Sequence, residues 1–271
     1  MEKPKVTIVT VSFNAAELIE ETILSVIRQD YPNLEYIIID GGSKDGTVDI
    51  IKKYEDCIAC WVSEPDKGLY DAMNKGIQLA TGDWINFRNC GDPFLERDSL
   101  SKLFNNPVGD NISIVHADCY RIRGDYYYYG KPSSLKWYTV FMPLIHPATF
   151  IRVSEHRKRL FDLSHPIAAD YDLITKCIKD GLQFEHRAIP IVIFPEGGCS
   201  DLSWRKALPS HLRIQGYNDS FWGRIKGYWH MRRIIADYCI RDFTALNRIR
   251  NKRLIKKGVL IPMPLPYPKY Y

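Results

Sequence analysis

The sequence predicts an α/β fold with a mixed, mainly parallel central sheet, followed by a helical, basic C-terminal extension. Three observations lead there. Short β-branched runs alternate with amphipathic helical runs through the first third of the chain, the pattern of βαβ units. The polar, glycine-rich turns follow the strands, where ligand-binding turns lie in open parallel sheets. The charge also divides: residues 201–271 carry 15 Lys/Arg against 4 Asp/Glu, whereas the first 200 carry 22 against 28.

The elements can be read in order. Val6–Ser12 (VTIVTVS) is a β-branched run bounded by polar residues, hence a buried strand. Ala16–Gln29 places Leu18, Ile19, Ile23, Val26 and Ile27 on one helical face, and Tyr31-Pro32-Asn33 ends it. Leu34–Asp40 (LEYIIID) is a second strand, Thr47–Tyr54 a helix, Ile58–Ser63 a third strand, Leu69–Ala80 a helix and Asp83–Phe87 a fourth strand. Beyond Asp92 the pattern is mixed. Ile112–Arg121 and Asp125–Tyr129 read as strands joined at Gly124, the second at a sheet edge. Ala148–Val153 reads as a strand, Tyr171–Asp180 as a helix and Ile189–Phe194 as the last strand. After Ser200 the text is helical, with no further strand. LIPMPLPYPKYY has too many prolines for regular structure and is expected as an extended tail.

Composition narrows the class. Apolar content of 45% with 25% charged residues is that of a globular protein. Seven scattered cysteines do not form a disulfide framework and fit a reducing cytosol. MEKPK runs straight into a strand without a leader's apolar core, and no apolar stretch is long enough to span a bilayer. A cytoplasmic protein is therefore expected.

Four strand ends carry the chemistry. They read Val11-Ser12-Phe13-Asn14, Asp40-Gly41-Gly42-Ser43-Lys44-Asp45-Gly46-Thr47, Ser63-Glu64-Pro65-Asp66-Lys67-Gly68 and Asn89-Cys90-Gly91-Asp92. Polar turns on one sheet edge describe a nucleotide site. A carboxylate such as Asp40 at a strand end can accept the ring N–H of uracil, thymine or guanine; cytosine offers none. Ser43 and Asp45 can hold the turn and cap the helix at Thr47. Taken alone, the same residues also fit an ordinary βα turn. The chain has no G-x-G-x-x-G after the first strand and no G-x-x-x-x-G-K-[ST], which disfavours dehydrogenase and P-loop sites.

In their order and spacing these motifs resemble the family 2 glycosyltransferases, which have the GT-A fold. The resemblance covers residues 5–200. It rests on VTIVTVSFN, the D-x-x-S-x-D-G-T turn at Asp40–Thr47, G-x-x-x-A-x-N-x-G at Gly68–Gly76 and ATGDWINF at Ala80–Phe87, with N-x-G-D at Asn89–Asp92. HPATF at His146–Phe150, ADYDL at Ala169–Leu173 and GGCS at Gly197–Ser200 continue it. The string SEPDKGLYDAMNKGI is similar to a subgroup that assembles bacterial surface polysaccharides.

The resemblance implies an inverting transfer from a nucleoside diphosphate sugar, UDP favoured, to a saccharide acceptor on a lipid carrier. It implies a GT-A domain over residues 1–200, with the nucleotide-sugar part at 1–92 and the acceptor part at 93–200, and an extension over 201–271. Asp40 matches the base-binding aspartate. Ser12 and Asn14 fall in the first nucleotide-binding loop, and Asn74 in the A-x-N-x-G element. Asp92 matches the last aspartate of the metal element, implying Mg²⁺ or Mn²⁺ on the diphosphate. Asp170 matches the proposed general base, while His146, Gly198 and Ser200 fall on the acceptor side.

Three departures stand out: Ala169 replaces a common glutamate, Asn89 and Gly91 replace carboxylates, and Met73 replaces an arginine. Lys67 is the candidate for the missing positive charge on the diphosphate. The thinned metal element keeps a second reading open, a sugar-nucleotide-binding module with weakened catalysis.

Other features are bland. Cys57-Ile-Ala-Cys60 lies before a strand and is expected as core packing. The basic tail with Trp204, Trp222, Tyr228 and Trp229 suits an anionic membrane surface, which makes a peripheral position on the cytoplasmic face the expectation; its alternative is helices packed on the domain. A nucleic-acid partner is not expected, because the first 200 residues are acidic and no known nucleic-acid module is present.

Overall fold

The first strand, β1 (Val6–Ser12), is buried along its whole length, as an unbroken apolar run covered on both faces must be. A computed structural model describes residues 3–123, 125–195, 204–217, 220–242 and 251–262. The elements in chain order are β1, α1 (Ile19–Ile27), β2 (Leu34–Asp40), α2 (Thr47–Lys52), β3 (Cys60–Ser63), α3 (Leu69–Leu79), β4 (Trp84–Asn89) and α4 (Ser99–Leu103). There follow β5 (Ile112–Arg123), β6 (Tyr126–Gly130), β7 (Thr149–Arg152), α5 (Val153–Lys158), α6 (Ala169–Lys179) and β8 (Gln183–Pro195). The C-terminal part adds α7 (Trp204–Ile214), α8 (Phe221–Asp242) and β9 (Ile261–Pro262), with a helical stretch at 251–256.

The sheet runs β3-β2-β1-β4-β7-β5-β6-β9, and β8 pairs with β5. The half built from β3, β2, β1 and β4 is parallel, so its carboxyl ends share one edge. β7 enters antiparallel to β4 and opens the mixed half.

Alternation along the strands divides the core between two faces. Ile8, Ile38 and Trp84 pack with Ile19, Ile23 and Val26 of α1. Val9, Ile37, Ile39 and Phe87 pack on the other face with Met73 and Ile77 of α3 and Leu173 and Ile174 of α6. α3 lies close against β1: a methyl group added at Gly76 would sit 2.5 Å from Val9 Cγ1.

The structure corrects several boundaries. α1 begins at Ile19 rather than Ala16, because the Ala15 and Ala16 N–H groups donate to Thr47 Oγ1 and Asp45 Oδ2 instead of sitting within a helix. The last predicted strand starts at Gln183 rather than Ile189; β5 pairs with it over that length through register shifts at Ala117 and Asp118. α4 and α5, of five and six residues, were too short for a periodic pattern. The tail does supply a strand: Ile261 and Pro262 pair with Tyr127 and Tyr126, so β6 is not the sheet edge. A proline is tolerated there because an outermost strand needs few donors. Cys57 is exposed rather than packed, whereas Cys60 lies partly against the core.

The amino ends of the parallel strands are closed by Glu35. Its carboxylate accepts from Thr7 Oγ1 at 2.6 Å, Thr81 N at 2.7 Å, Lys5 Nζ at 2.9 Å and the Thr81 hydroxyl. Burial alone would raise this carboxyl, but the hydrogen bonds from Thr7, Thr81 and Lys5 outweigh it and hold it near about 2.

Glu35→Ala leaves those donors without a partner and is expected to lower stability by about 2–3 kcal/mol in urea unfolding. The folded-state value lies below the ordinary 4.5, so this stabilisation is full above that pH and is lost as pH falls towards about 2. The gap between variant and wild type should therefore shrink in acid; a gap unchanged down to pH about 2 would contradict the assignment.

Candidate active site

At the opposite sheet edge, the carboxyl ends of β1, β2 and β3 are tied together by Asp40, which is completely buried. Its Oδ1 accepts from Ser12 Oγ at 2.9 Å and Ser43 Oγ at 2.5 Å. Its Oδ2 accepts from Gly42 N at 3.1 Å, Ser43 N at 2.9 Å and Ser63 Oγ at 2.7 Å. Burial alone would raise the carboxyl, but the bonds from Ser43, Ser63 and Ser12 outweigh it and hold it below the ordinary carboxylate range. The expected partner of Asp40 is a base N–H; in this structure five protein donors take its acceptor sites, and no solvent-facing surface remains. Ser12 is likewise buried and turned to Asp40.

The first loop is locked to the second. Asn14 has a left-handed backbone (φ 47°), its Oδ1 accepts from Lys44 N at 3.0 Å, and its N–H donates to Ser43 Oγ at 2.8 Å. Asp45 accepts from Thr47 N and Ala16 N, so the expected turn-holding role is present. Phe13 projects between these loops with 66% of its surface exposed. The third turn brings Asp66 beside Gly41, and Asp66 Oδ1 accepts from Gly68 N at 2.7 Å. Lys67 follows and is exposed. Met73 is buried in the core, so the position where relatives carry arginine faces inward here.

The end of β4 is electrostatically unusual. Arg88 is fully buried, its guanidinium carbon lies 3.7 Å from the Phe94 ring centroid, and none of its three side-chain nitrogens has a hydrogen-bond partner among the described residues. Burial pulls Arg88 down to about 9, against the charge of Asp92. Burial pushes Asp92 up to about 7, against Arg88 and a hydrogen bond from Asn89. Asp92 is the one carboxylate of this turn, flanked by a buried cation. Such a donor set fits Mg²⁺ or Mn²⁺ only if phosphate oxygens and water supply most of the coordination.

Asp170 is the second residue of α6; Ala168 holds the cap position. Its Oδ1 accepts from Tyr70 Oη at 2.9 Å and Tyr171 N at 2.9 Å, and Oδ2 accepts no hydrogen bond among the described residues. Tyr70 belongs to α3, which starts directly after the Asp66-Lys67-Gly68 turn, so the bond joins α6 to the strand-end loops. Asp170 also borders a small cavity lined by Phe87, His146, His156 and Leu173. His146 stacks on Phe87 with centroids 6.0 Å apart. Burial lowers His146, and lowers His156 to about 4, so both rings are neutral near pH 7.

Some expected residues fall elsewhere. Asn74 is corrected: its amide clamps the Phe161 backbone, donating to the carbonyl at 3.0 Å and accepting from the N–H at 2.9 Å. Gly198 and Ser200 lie outside the described residues. Asp172 ion-pairs with Lys176 at 2.6 Å, and its carboxylate, Asp162 and His165 offer ligand atoms within 4.8 Å of one another. Sequence reasoning did not single out Phe13, Asp66, Tyr70 or Arg88, which the fold places beside the expected residues. Arg88 had a visible signal, a charge inside the buried run WINFRN.

The family model for glycosyl transferase family 2 matches residues 7–165. An uncharacterized glycosyltransferase of Mycobacterium tuberculosis is 34% identical over 186 residues, 64% of this chain and 68% of that protein. A PGL/p-HBAD biosynthesis glycosyltransferase of Mycobacterium bovis is 27% identical, over 79% of this chain and 88% of that one. Two solved structures share the fold. One is S. aureus TarS 1-349 in complex with UDP, with TM-score 0.60, 15% identity and coverage of 89% of this chain and 72% of that one. The other is the Pyrobaculum calidifontis mannosyltransferase PcManGT with GDP-Man and Mn²⁺, with TM-score 0.63, 17% identity and coverage of 95% and 80%.

Asp40→Ala is expected to act through the fold, because it strands five donors at three strand ends. Thermal or urea unfolding should register a loss of about 3 kcal/mol or more. A variant that keeps wild-type stability and loses only ligand affinity would restore the direct base contact.

Proposed function

Since this chain belongs to glycosyl transferase family 2, we propose that it moves a sugar from a nucleoside diphosphate sugar, UDP-sugar favoured, to a saccharide acceptor with inversion at the sugar carbon. The observation that carries this reading is the Tyr70–Asp170 hydrogen bond, which sets a carboxylate with one free oxygen beside the loops at the strand ends.

An acceptor hydroxyl is a weak nucleophile near neutral pH and needs a base within hydrogen-bond reach. Asp170 is that base. Oδ1 is held by Tyr70 and the Tyr171 N–H, and Oδ2 takes the proton as the acceptor oxygen bonds to the sugar carbon. The bond from that carbon to the diphosphate breaks in the same displacement, and the electron pair leaves with the nucleoside diphosphate. Neutral His146 and His156 beside Asp170 keep a positive charge from pairing with it. On the donor side, Lys67 and the exposed amide of Asn14 are the groups placed to meet phosphate. Asp92 would hold the divalent ion together with donor phosphates; such an ion neutralises charge on the leaving group. Support for it comes from the Mn²⁺ in the mannosyltransferase structure.

A lipid-linked acceptor in cell-surface polysaccharide synthesis is the destination we infer. It is supported by the PGL/p-HBAD biosynthesis relative and by the C-terminal part. α7 packs on the domain: Gln215 donates to Tyr138 O and Tyr171 Oη, and the His211 ring lies tilted against Tyr171, centroids 4.4 Å apart. α8 turns Gly227 and Met231 inward and leaves Phe221, Trp222, Ile225, Tyr228 and Trp229 exposed, with Arg224, Lys226 and Arg232 among them. No helix among the described residues is long and apolar enough to cross a membrane. Such an aromatic and basic face suits peripheral attachment to an anionic leaflet.

Donor turnover and transfer tests the central reading. Asp170→Asn should keep donor affinity while the transfer rate falls about a hundredfold or more. EDTA should suppress turnover in the wild type. Near-normal transfer by Asp170→Asn removes the base assignment, and full activity in EDTA removes the metal.

Vesicle co-sedimentation tests the tail. Anionic vesicles at low salt should bind the protein, each basic residue near the surface contributing about 1 kcal/mol. Trp222→Ser with Trp229→Ser should weaken that binding. No binding to anionic vesicles at low salt removes the attachment.

A further inference from the structure

The segment between α5 and α6 brings together three ligand-type side chains that the donor and base assignments do not use. Asp162 and His165 lie on the segment, and Asp172 is the fourth residue of α6. A carboxylate oxygen of each aspartate and a ring nitrogen of His165 lie within 4.8 Å of one another. His165 and Asp172 are each only 6% exposed, so two of the three groups are withdrawn from water. The Nδ1 of His165 is buried and has no hydrogen-bond partner among the described residues. The segment itself is fixed in place. Asp162 Oδ1 accepts from Ser164 N at 2.9 Å, and the Asp162 carbonyl accepts from His165 N at 3.1 Å. Immediately upstream, the Asn74 amide clamps the Phe161 backbone.

We propose that Asp162, His165 and Asp172 form a second metal site, which takes Zn²⁺ and ties the segment after Phe161 to α6. A buried imidazole nitrogen without a partner carries a desolvation cost, which a metal bond removes. Two carboxylates brought near each other repel, and a divalent cation between them reverses the sign of that interaction. One imidazole with two carboxylates is a donor set for Zn²⁺, with Mn²⁺ the weaker competitor, whereas Mg²⁺ and Ca²⁺ favour oxygen ligands alone. In a tetrahedral site with bonds of about 2.0–2.2 Å, ligand atoms stand about 3.3–3.6 Å apart, so the three side chains close in by roughly an ångström. The remaining position falls to water. Lys176 is the cation already present, 2.6 Å from Asp172 Oδ2. Its side chain is half exposed and free to turn to water, and Asp172 keeps its other oxygen. The site differs from the Asp92 turn in needing no phosphate, because the chain supplies two carboxylates and an imidazole. The tie spans the segment that starts at Phe161, packed 5.1 Å from the Tyr70 ring, and ends in the first turn of α6, where Asp170 stands.

Equilibrium dialysis of the nucleotide-free full chain against Zn²⁺, Mn²⁺ and Mg²⁺ tests the site. A single Zn²⁺ should bind per chain, at least about tenfold more tightly than Mn²⁺, and Mg²⁺ at equal concentration should not displace it. Zn²⁺ should also raise the unfolding temperature, because only the folded chain assembles the three ligands. His165→Gln and Asp162→Asn should each weaken Zn²⁺ by about a hundredfold or more, since each removes a direct ligand rather than a group that orients one. Zn²⁺ should then no longer raise their unfolding temperatures. Asp162→Asn keeps a side-chain oxygen for the Ser164 N–H, so its metal-free unfolding temperature should match the wild type; it carries the test should His165→Gln fail to fold. Two other places could hold an ion, the Cys57-Ile-Ala-Cys60 pair and Asp92. Cys57→Ser with Cys60→Ser, and separately Asp92→Ala, should leave Zn²⁺ affinity unchanged. Absence of Zn²⁺ binding by the wild type overturns the site, as does wild-type affinity in a folded ligand variant. Loss of Zn²⁺ from the double serine variant or from Asp92→Ala assigns the ion to that place and overturns the site equally.

Discussion

The buried carboxylate of Asp40 is the interaction on which the ligand-facing edge depends. Parallel strands end with N–H groups and hydroxyls that have no ladder partner, and a site needs those ends held in a defined relation. Asp40 meets that need with Ser12 from β1, Gly42 and Ser43 from its own turn, and Ser63 from β3. The tie holds Gly41 against Asp66 and leaves Phe13 exposed on the first loop. A carboxylate so fully used cannot also bind a ligand without breaking the frame that presents the ligand site.

The two ends of the parallel sheet use the same device for different purposes. Glu35 closes the amino ends and Asp40 the carboxyl ends, each a buried acid surrounded by hydroxyl and N–H donors. The end of β4 breaks this pattern. Arg88 is buried without a hydrogen-bond partner among the described residues, and burial pushes Asp92 beside it up to about 7. A buried charge left unpaired is costly, and such cost concentrates at functional positions. A lone carboxylate next to a guanidinium offers a cation little on its own.

Side chains also join the two parts of the chain, beside the β4–β7 pairing within the sheet. Tyr70 of α3 reaches Asp170 of α6. Tyr171, the next residue, donates to Tyr138 O and accepts from Gln215 at the end of α7. The C-terminal part is therefore connected to Tyr171, the neighbour of Asp170, by a hydrogen bond from Gln215. It also completes the sheet through β9, so the change of charge at residue 200 is not a seam in the packing. α8 packs along one side and leaves an aromatic and basic face to solvent, which makes packing and exposure two sides of one helix.

The sequence by itself determined the α/β class, the four parallel strands and the family. β-branched runs must be buried, and turns with glycine and aspartate must follow them, so both signals are local. It also placed the polar, glycine-rich turns at one edge of the sheet. Tertiary structure decided which polar residues face the ligand. Ser12, Asp40 and Asn74 carry the right chemistry in the right motifs, yet they turn inward to hold backbone and loops. Asp66, Phe13 and Tyr70 turn outward or across, and no periodicity encodes that. The strand supplied by Ile261 and Pro262 was hidden for the same reason: its partner, β6, lies more than a hundred residues away. Hydrogen-bond demand at the ends of strands is met by whichever donors and acceptors the fold brings together, and sequence spacing carries no record of that choice.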